Sequence, residues 1–156
     1  MAENNRKVPY LEQALPEVYK AFGEVSALLK KTYVEVGLGA DLIELVCLRA
    51  SQLNRCPTCL SVHVPRALRA GVPQRKIDLL PAWRETNGEY TAQELAALAL
   101  TETITLVPEG VTNGPAGAAA LQLFNTQQLA ALEFAIMNIN LHNRISIFSQ
   151  HPARKY

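Results

Sequence analysis

The chain has 156 residues, 49% of them apolar and 19% charged, and a formal net charge of +1. A chain of that length and composition is one globular domain that buries roughly 70% of its unfolded surface and needs neither metal nor disulfide to fold. Near-neutral charge gives no electrostatic basis for binding nucleic acid or an anionic membrane, and the apolar stretches break well short of the ~18 residues of a membrane-spanning helix. The polar start Met-Ala-Glu-Asn-Asn-Arg-Lys leads into no apolar signal segment, so a cytoplasmic location is expected. Aromatic residues make up only 6%, and alanine is concentrated in 91–101 and 116–135, which favours close helix packing and predicts an all-α fold.

Residues 1–9 read as a flexible arm, 10–150 as the single domain and 151–156 as a frayed tail. From Leu15 to Val36, Val18, Phe22, Val25, Leu28 and Leu29 recur at three- and four-residue spacing, which predicts an amphipathic helix. Gly37 and Gly39 punctuate it. Asp41 then opens Leu42-Ile43-Glu44-Leu45-Val46-Cys47-Leu48, apolar round most of a helix and therefore expected to be buried. Cys56-Pro57 starts a third helix that runs to about Gly71, because proline is pre-organised for the first helical position and lacks the N–H left unpaired there. Pro65, inside that helix, removes one backbone bond and predicts a kink near Ser61.

Val72-Pro73 opens a short helix through Leu80, and Pro81 to Tyr90 reads as a loop carrying Trp83. Thr91-Ala92-Gln93-Glu94 is a capping box ahead of a helix over 92–106. Val107-Pro108-Glu109-Gly110 ends that helix, and Asn113-Gly114-Pro115 continues the connection. A short helix follows at 116–123. Asn125, with Gln128 in the third helical position, starts a last helix through Leu129, Leu132, Ile136 and Ile139 to Ile145, for six to eight helices in all. Region 107–117 has neither of the glycine spacings that cradle phosphates.

Cys56-Pro57-Thr58-Cys59, with His63 four residues on, is the pattern that carries chemistry. A cytoplasmic CxxC pair points to redox or metal chemistry, because ordinary disulfides are kept reduced there. A zinc site built from Cys56, Cys59, His63 and Glu44 would draw three ligands from one stripe, with no second cluster to close the tetrahedron. Helical positions 56, 59 and 63 advance by three and four, which places both sulfurs and the imidazole on one face. An unperturbed thiol, at pKa about 8.5, is only a few per cent ionised at neutral pH. The helix N-terminus and His63 are the two agents that lower that value.

Cys59 has the closer histidine and is the expected nucleophile, with Cys56 as resolving partner. Glu44, in the midst of an apolar run, is the proton-relay candidate, and its competing reading is an Asp41-x-x-Glu44 capping arrangement. Cys47 reads as packing, and His142 and His151 as lying outside the site. Arg66, Arg69, Arg75 and Lys76 read as a solvated face rather than a nucleic-acid patch.

Glu44, eleven intervening residues, then Cys56-x-x-Cys59-x-x-x-His63 resembles the signature of the alkylhydroperoxidase D-like branch of the carboxymuconolactone decarboxylase family. The stretch from Glu44 to Gly71 is similar to that family's core. The resemblance implies an all-helical fold assembling as trimers or hexamers, and a cofactor-free thiol peroxidase that reduces organic hydroperoxides to alcohols. By the same resemblance Cys59 attacks, Cys56 closes the disulfide, Glu44 and His63 relay protons, and a lipoyl-bearing partner or another dithiol is the reductant. Some members carry a histidine just before the second cysteine, where this chain has Thr58, so the relay implied here is one member short. Two other readings stand beside it: a cofactor-independent lactone decarboxylase of the same family, and a non-enzymatic redox-sensing or assembly module.

Overall fold

The computed structural model describes residues 8–107 and 114–155, so most of the expected N-terminal arm and the connection at 108–113 lie outside the described residues. The described elements are all helical: α1 (Leu11–Ala14), α2 (Pro16–Glu35), α3 (Ala40–Leu53), α4 (Pro57–Arg69), α5 (Gln74–Leu79), α6 (Ala92–Thr105), α7 (Gly114–Ala120) and α8 (Thr126–Phe148). A 3₁₀ helix (Leu80–Glu85) lies between α5 and α6. No helix among the described residues is long and apolar enough to cross a membrane.

The all-round apolar character of α3 follows from its central place, packed against α4, α6 and α8. On one side Val46 and Ala50 meet Ala97, Leu100, Leu132 and Ile136. On the other, Leu45 and Leu48 meet Ala67, Leu80, Trp83 and Leu98. Each fully buried leucine contributes roughly 1.5–3 kcal/mol, so the site-bearing helices α3 and α4 are anchored from both faces.

The capping boxes at Thr91/Glu94 and Asn125/Gln128 form as expected, each with both reciprocal hydrogen bonds. Four helices, α2, α3, α4 and α8, close on the same terminal motif, in which the residue after the cap turns left-handed and two N–H groups reach back to the last turn. Gly37 and Gly71 fill that position for α2 and α4, but Arg55 and Gln150 fill it for α3 and α8, at φ of 55° and 53°. Only glycine adopts such angles freely. The two strained ends are those that deliver the chain to Cys56 and to the C-terminal tail.

The structure adds to these expectations and corrects one of them. The apolar face of α2 is not buried: Val18 is 51%, Val25 50% and Leu28 63% exposed, because α2 packs chiefly against α8 on one side and buries Tyr33 alone. Surplus apolar surface therefore lies on α2 and on α8, where Phe134, Met137 and Phe148 are exposed. The segment read as a loop around Trp83 begins as the 3₁₀ helix, since the indole is buried and its N–H donates to Glu102 Oε1 at 2.7 Å. Residues 151–155 carry no regular structure and make hydrogen bonds to α4, as described below. Pro65 is accommodated within α4, which continues through it to bury Ala67.

Candidate active site

The site is built at the junction of α3 and α4. Cys56 N–H closes the terminal motif of α3 by donating to Ser51 O, Pro57 takes the first position of α4, and Cys56 becomes the N-cap. Its Sγ accepts the Cys59 N–H at 3.3 Å, so a sulfur occupies the place where serine or aspartate oxygens ordinarily satisfy a helix start. Cys56 and Cys59 are joined as a disulfide with their Cα atoms 5.3 Å apart. Both residues are buried, at 0% and 5% exposure.

One turn beyond Cys59, His63 Nδ1 lies 2.7 Å from Glu44 Oε2 on α3. This contact displaces the capping reading of Glu44: α3 begins after Gly39, with no side-chain cap, and the carboxylate is used across the helix interface. The hydrogen-bonding partner that Glu44 lacks on its own helix comes from α4. A carboxylate on Nδ1 fixes the ring's orientation and leaves Nε2 for chemistry. Cys47, one turn after Glu44, is buried and free. Burial, and then the Glu44 charge, push its thiol well above the usual range, which keeps it inert and matches its reading as packing.

Reasoning from sequence missed two groups of residues around this pair. The first is His142 on α8, whose Nε2 lies 3.0 Å from Ser26 Oγ on α2. Ser26 donates to Phe22 O at 2.9 Å and approaches Asn138 Oδ1 at 3.2 Å. Burial, followed by the nearby charges of His63 and Lys30, lowers the pKa of His142. The second is the tail. Thr58 Oγ1, between the two cysteines, donates to His151 O at 2.6 Å and lies 3.1 Å from Pro152 O. The His151 ring in turn lies tilted against the Tyr10 ring, centroids 4.8 Å apart, and its Nε2 is 3.0 Å from Glu12 Oε1. No local spacing signals either group, because each partner comes from the other end of the chain.

With the sulfurs bonded to each other and Glu44 bonded to His63, no set of three or more histidine, cysteine or acidic side chains among the described residues is arranged to hold a metal. The basic stretch read as a solvated face is partly committed: Lys76 Nζ meets both Glu94 oxygens at 2.7 Å, largely buried, and Arg75 meets Glu89. A shallow cavity of about 230 Å³ lies elsewhere, where the starts of α3, α6 and α8 converge around Gly39, Thr91 and Gln128. It shares no residue with the cysteine site.

The carboxymuconolactone decarboxylase family profile matches residues 16–103, a span that includes Glu44, both cysteines and His63. The uncharacterised protein YdfG of Bacillus subtilis (strain 168) is 32% identical over 143 residues, covering 92% of this chain and 93% of its own. A crystal structure of a protein of unknown function from Agrobacterium tumefaciens, for which a role as the antioxidant defence protein AhpD has been proposed, superposes with a TM-score of 0.79. It is 29% identical, over 93% of this chain and 96% of that one. This chain belongs to the carboxymuconolactone decarboxylase family, as an all-helical member with a CxxC pair.

Proposed function

We propose that this protein is a thiol-dependent peroxidase that reduces organic hydroperoxides to alcohols. The observation that carries the reading is a CxxC disulfide at a helix start, one turn from a carboxylate-held histidine. In the reduced protein, Cys59 thiolate attacks the distal peroxide oxygen and the O–O bond breaks. His63, or a water it orders, supplies the proton that turns the departing alkoxide into alcohol, and the Glu44 carboxylate stabilises the charged imidazole. Cys59 is left as sulfenic acid, and Cys56 displaces its oxygen as water to form the disulfide. Two thiols and one hydroperoxide thus give one disulfide, one alcohol and one water.

Turnover needs an external dithiol, of which a lipoyl-bearing protein is one form. Attack on Cys59 expels Cys56, the sulfur that already accepts a helix N–H, and a stabilised thiolate is the better leaving group. The exposed apolar faces of α2 and α8 support a homo-oligomer, and the family resemblance suggests a trimer or hexamer.

The test adds one equivalent of cumene hydroperoxide to reduced protein and follows intact mass and alcohol. Loss of two hydrogens with stoichiometric alcohol, repeated over many cycles with a dithiol and missing in Cys59→Ser, is the expected result. Oxidation without turnover would instead make the chain a redox sensor. An unreactive pair would favour the lactone decarboxylase or the zinc reading instead.

A further inference from the structure

Where α3 ends against α8, the apolar core gives way to a cluster of amides and hydroxyls. Asn54, the cap of α3, donates through Nδ2 to Asn140 Oδ1 and to Asn143 Oδ1 of α8, at 2.8 Å each. Asn143 Nδ2 donates to Ser51 Oγ at 3.0 Å, while Asn140 Nδ2 donates to Thr105 Oγ1 of α6 at 3.0 Å and to Ile136 O at 2.9 Å. Ser51 and Asn143 have no solvent exposure, and Asn54 is half-buried. Polar groups in such a place have to be paired, and a fully paired network fixes the backbone that carries it.

The backbone fixed here is the turn that leads into the redox pair. α8 holds Ser51 and Asn54 by their side chains, and the Ser51 carbonyl accepts the Cys56 N–H at 3.0 Å. Between Asn54 and Cys56 stands Arg55, left-handed at φ of 55°. A strained residue keeps such a conformation where its surroundings over-determine it. In the oxidised protein the disulfide constrains the turn from the side of α4 and the amide cluster constrains it from the side of α8. When the disulfide opens, the covalent tie is lost and the side-chain grip on 51 and 54 remains.

We propose that Asn143 and Asn54 are positioning residues for the redox pair, holding the 51–56 turn in the reduced protein so that Cys56 stays within closing distance of Cys59. A bond between two groups closes more readily when both are already in place. The inference needs only the disulfide and the turn that feeds it; its bearing on turnover, in which Cys56 closes on an oxidised Cys59, rests on the peroxidase reading.

The test needs no peroxide. Reduced full-length protein is equilibrated in glutathione buffers of graded ratio, and the disulfide is counted by mass after alkylation. Each closure passes two electrons to one glutathione disulfide: Cys59 thiolate splits it into a mixed disulfide and one glutathione, Cys56 displaces the second, and the two protein thiol protons end on the two glutathiones. Asn54→Ala should lower the equilibrium constant for closure about tenfold, because a turn released in the reduced protein relaxes the left-handed penalty at Arg55. The pair becomes more oxidising by about 30 mV. Ser51→Ala, which leaves the backbone bond to Cys56 in place, should shift the equilibrium in the same direction. Denaturant melts of both forms should show each variant losing more stability when oxidised, where the turn cannot relax, than when reduced. Thr105→Val removes a bond of the same cluster away from the turn, and should cost both forms equally.

Equal losses in the two forms, with the closure equilibrium unmoved in Asn54→Ala and Ser51→Ala, would make the cluster ordinary packing and overturn the proposal. A shift as large in Thr105→Val would overturn the grip on the turn. A shifted equilibrium confined to the turn variants, in a protein that never turns over hydroperoxide, would leave the positioning role standing while the peroxidase reading fails.

Discussion

Nδ1 of His63 lies 2.7 Å from Oε2 of Glu44, so a side-chain hydrogen bond ties the helix that precedes the cysteines to the helix that carries them. Glu44→Gln keeps the size and an acceptor but removes the charge that favours imidazolium. Peroxidase kcat/KM with cumene hydroperoxide is expected to fall about 10- to 100-fold, the usual cost of losing a carboxylate behind a working histidine. Steady-state kinetics at constant dithiol checks it. An unaltered rate would remove Glu44 from the relay.

His142 is held below its ordinary titration range by burial, then by the charges of His63 and Lys30. The unfolded chain therefore binds the proton more readily than the folded one. The neutral ring's contribution is fully present above the unfolded value of about 6.5, and it is lost as pH falls from there toward the lower folded value. The chain has three histidines, so their ring Cε1–H resonances are assignable by single substitution. We expect the His142 midpoint to lie below its ordinary value of about 6.5 when reduced protein is titrated, and to rise in His63→Gln.

Glu102 is the acid-sensitive joint of the fold. Burial by itself raises its pKa, but hydrogen bonds from Trp83, Arg84 and Arg49 outweigh that and hold the carboxyl below its usual value. Arg49 Nη2 and Arg84 Nη2 each stand 2.6 Å from it, and the Arg84 guanidinium stacks 4.2 Å over the Trp83 ring. A depressed folded pKa gives stability that is present above the unfolded carboxyl value and is lost as pH falls through the folded one. Glu102→Gln should lower stability at pH 7 by about 3 kcal/mol, because Arg49 is left buried without its charge partner. Below about pH 4.5 the melting temperatures of variant and parent should converge, which thermal melts across pH 3–7 would read.

Arg55 spends backbone energy to turn the chain into Cys56. At φ of 55° an L-residue is penalised by about 1–2 kcal/mol, and glycine recovers that less its own greater unfolded-state entropy. Arg55→Gly is expected to stabilise the fold by about 0.5–1 kcal/mol, or about 1–4 °C in Tm. Calorimetry decides it, and a loss of stability would mean that the arginine side chain matters more than the backbone strain.

The fold was legible wherever the deciding interaction is local. The two capping boxes, Pro57 at a first helical position and Gly37 and Gly71 at helix ends each act within about five residues, and each appears where its spacing puts it. The exposure of much of the apolar face of α2 was not legible, because periodicity marks which face is apolar and says nothing of what covers it. The loop around Trp83 was misread because the partner that orders it, Glu102, lies on another helix.

For the site, the sequence alone determined the stripe of Cys56, Cys59 and His63, because three- and four-residue steps on a helix leave no freedom about which side chains share a face. It also pointed to Glu44, through an acidic residue in an apolar run, without saying what that residue meets. Only the tertiary structure decided that Glu44 meets His63, that His142 and Ser26 stand nearby, and that Thr58 is committed to a carbonyl 93 residues away. Those pairings depend on how α3, α4 and α8 pack and on how the two chain ends meet, and packing is settled by the whole core rather than by any one stretch of the sequence.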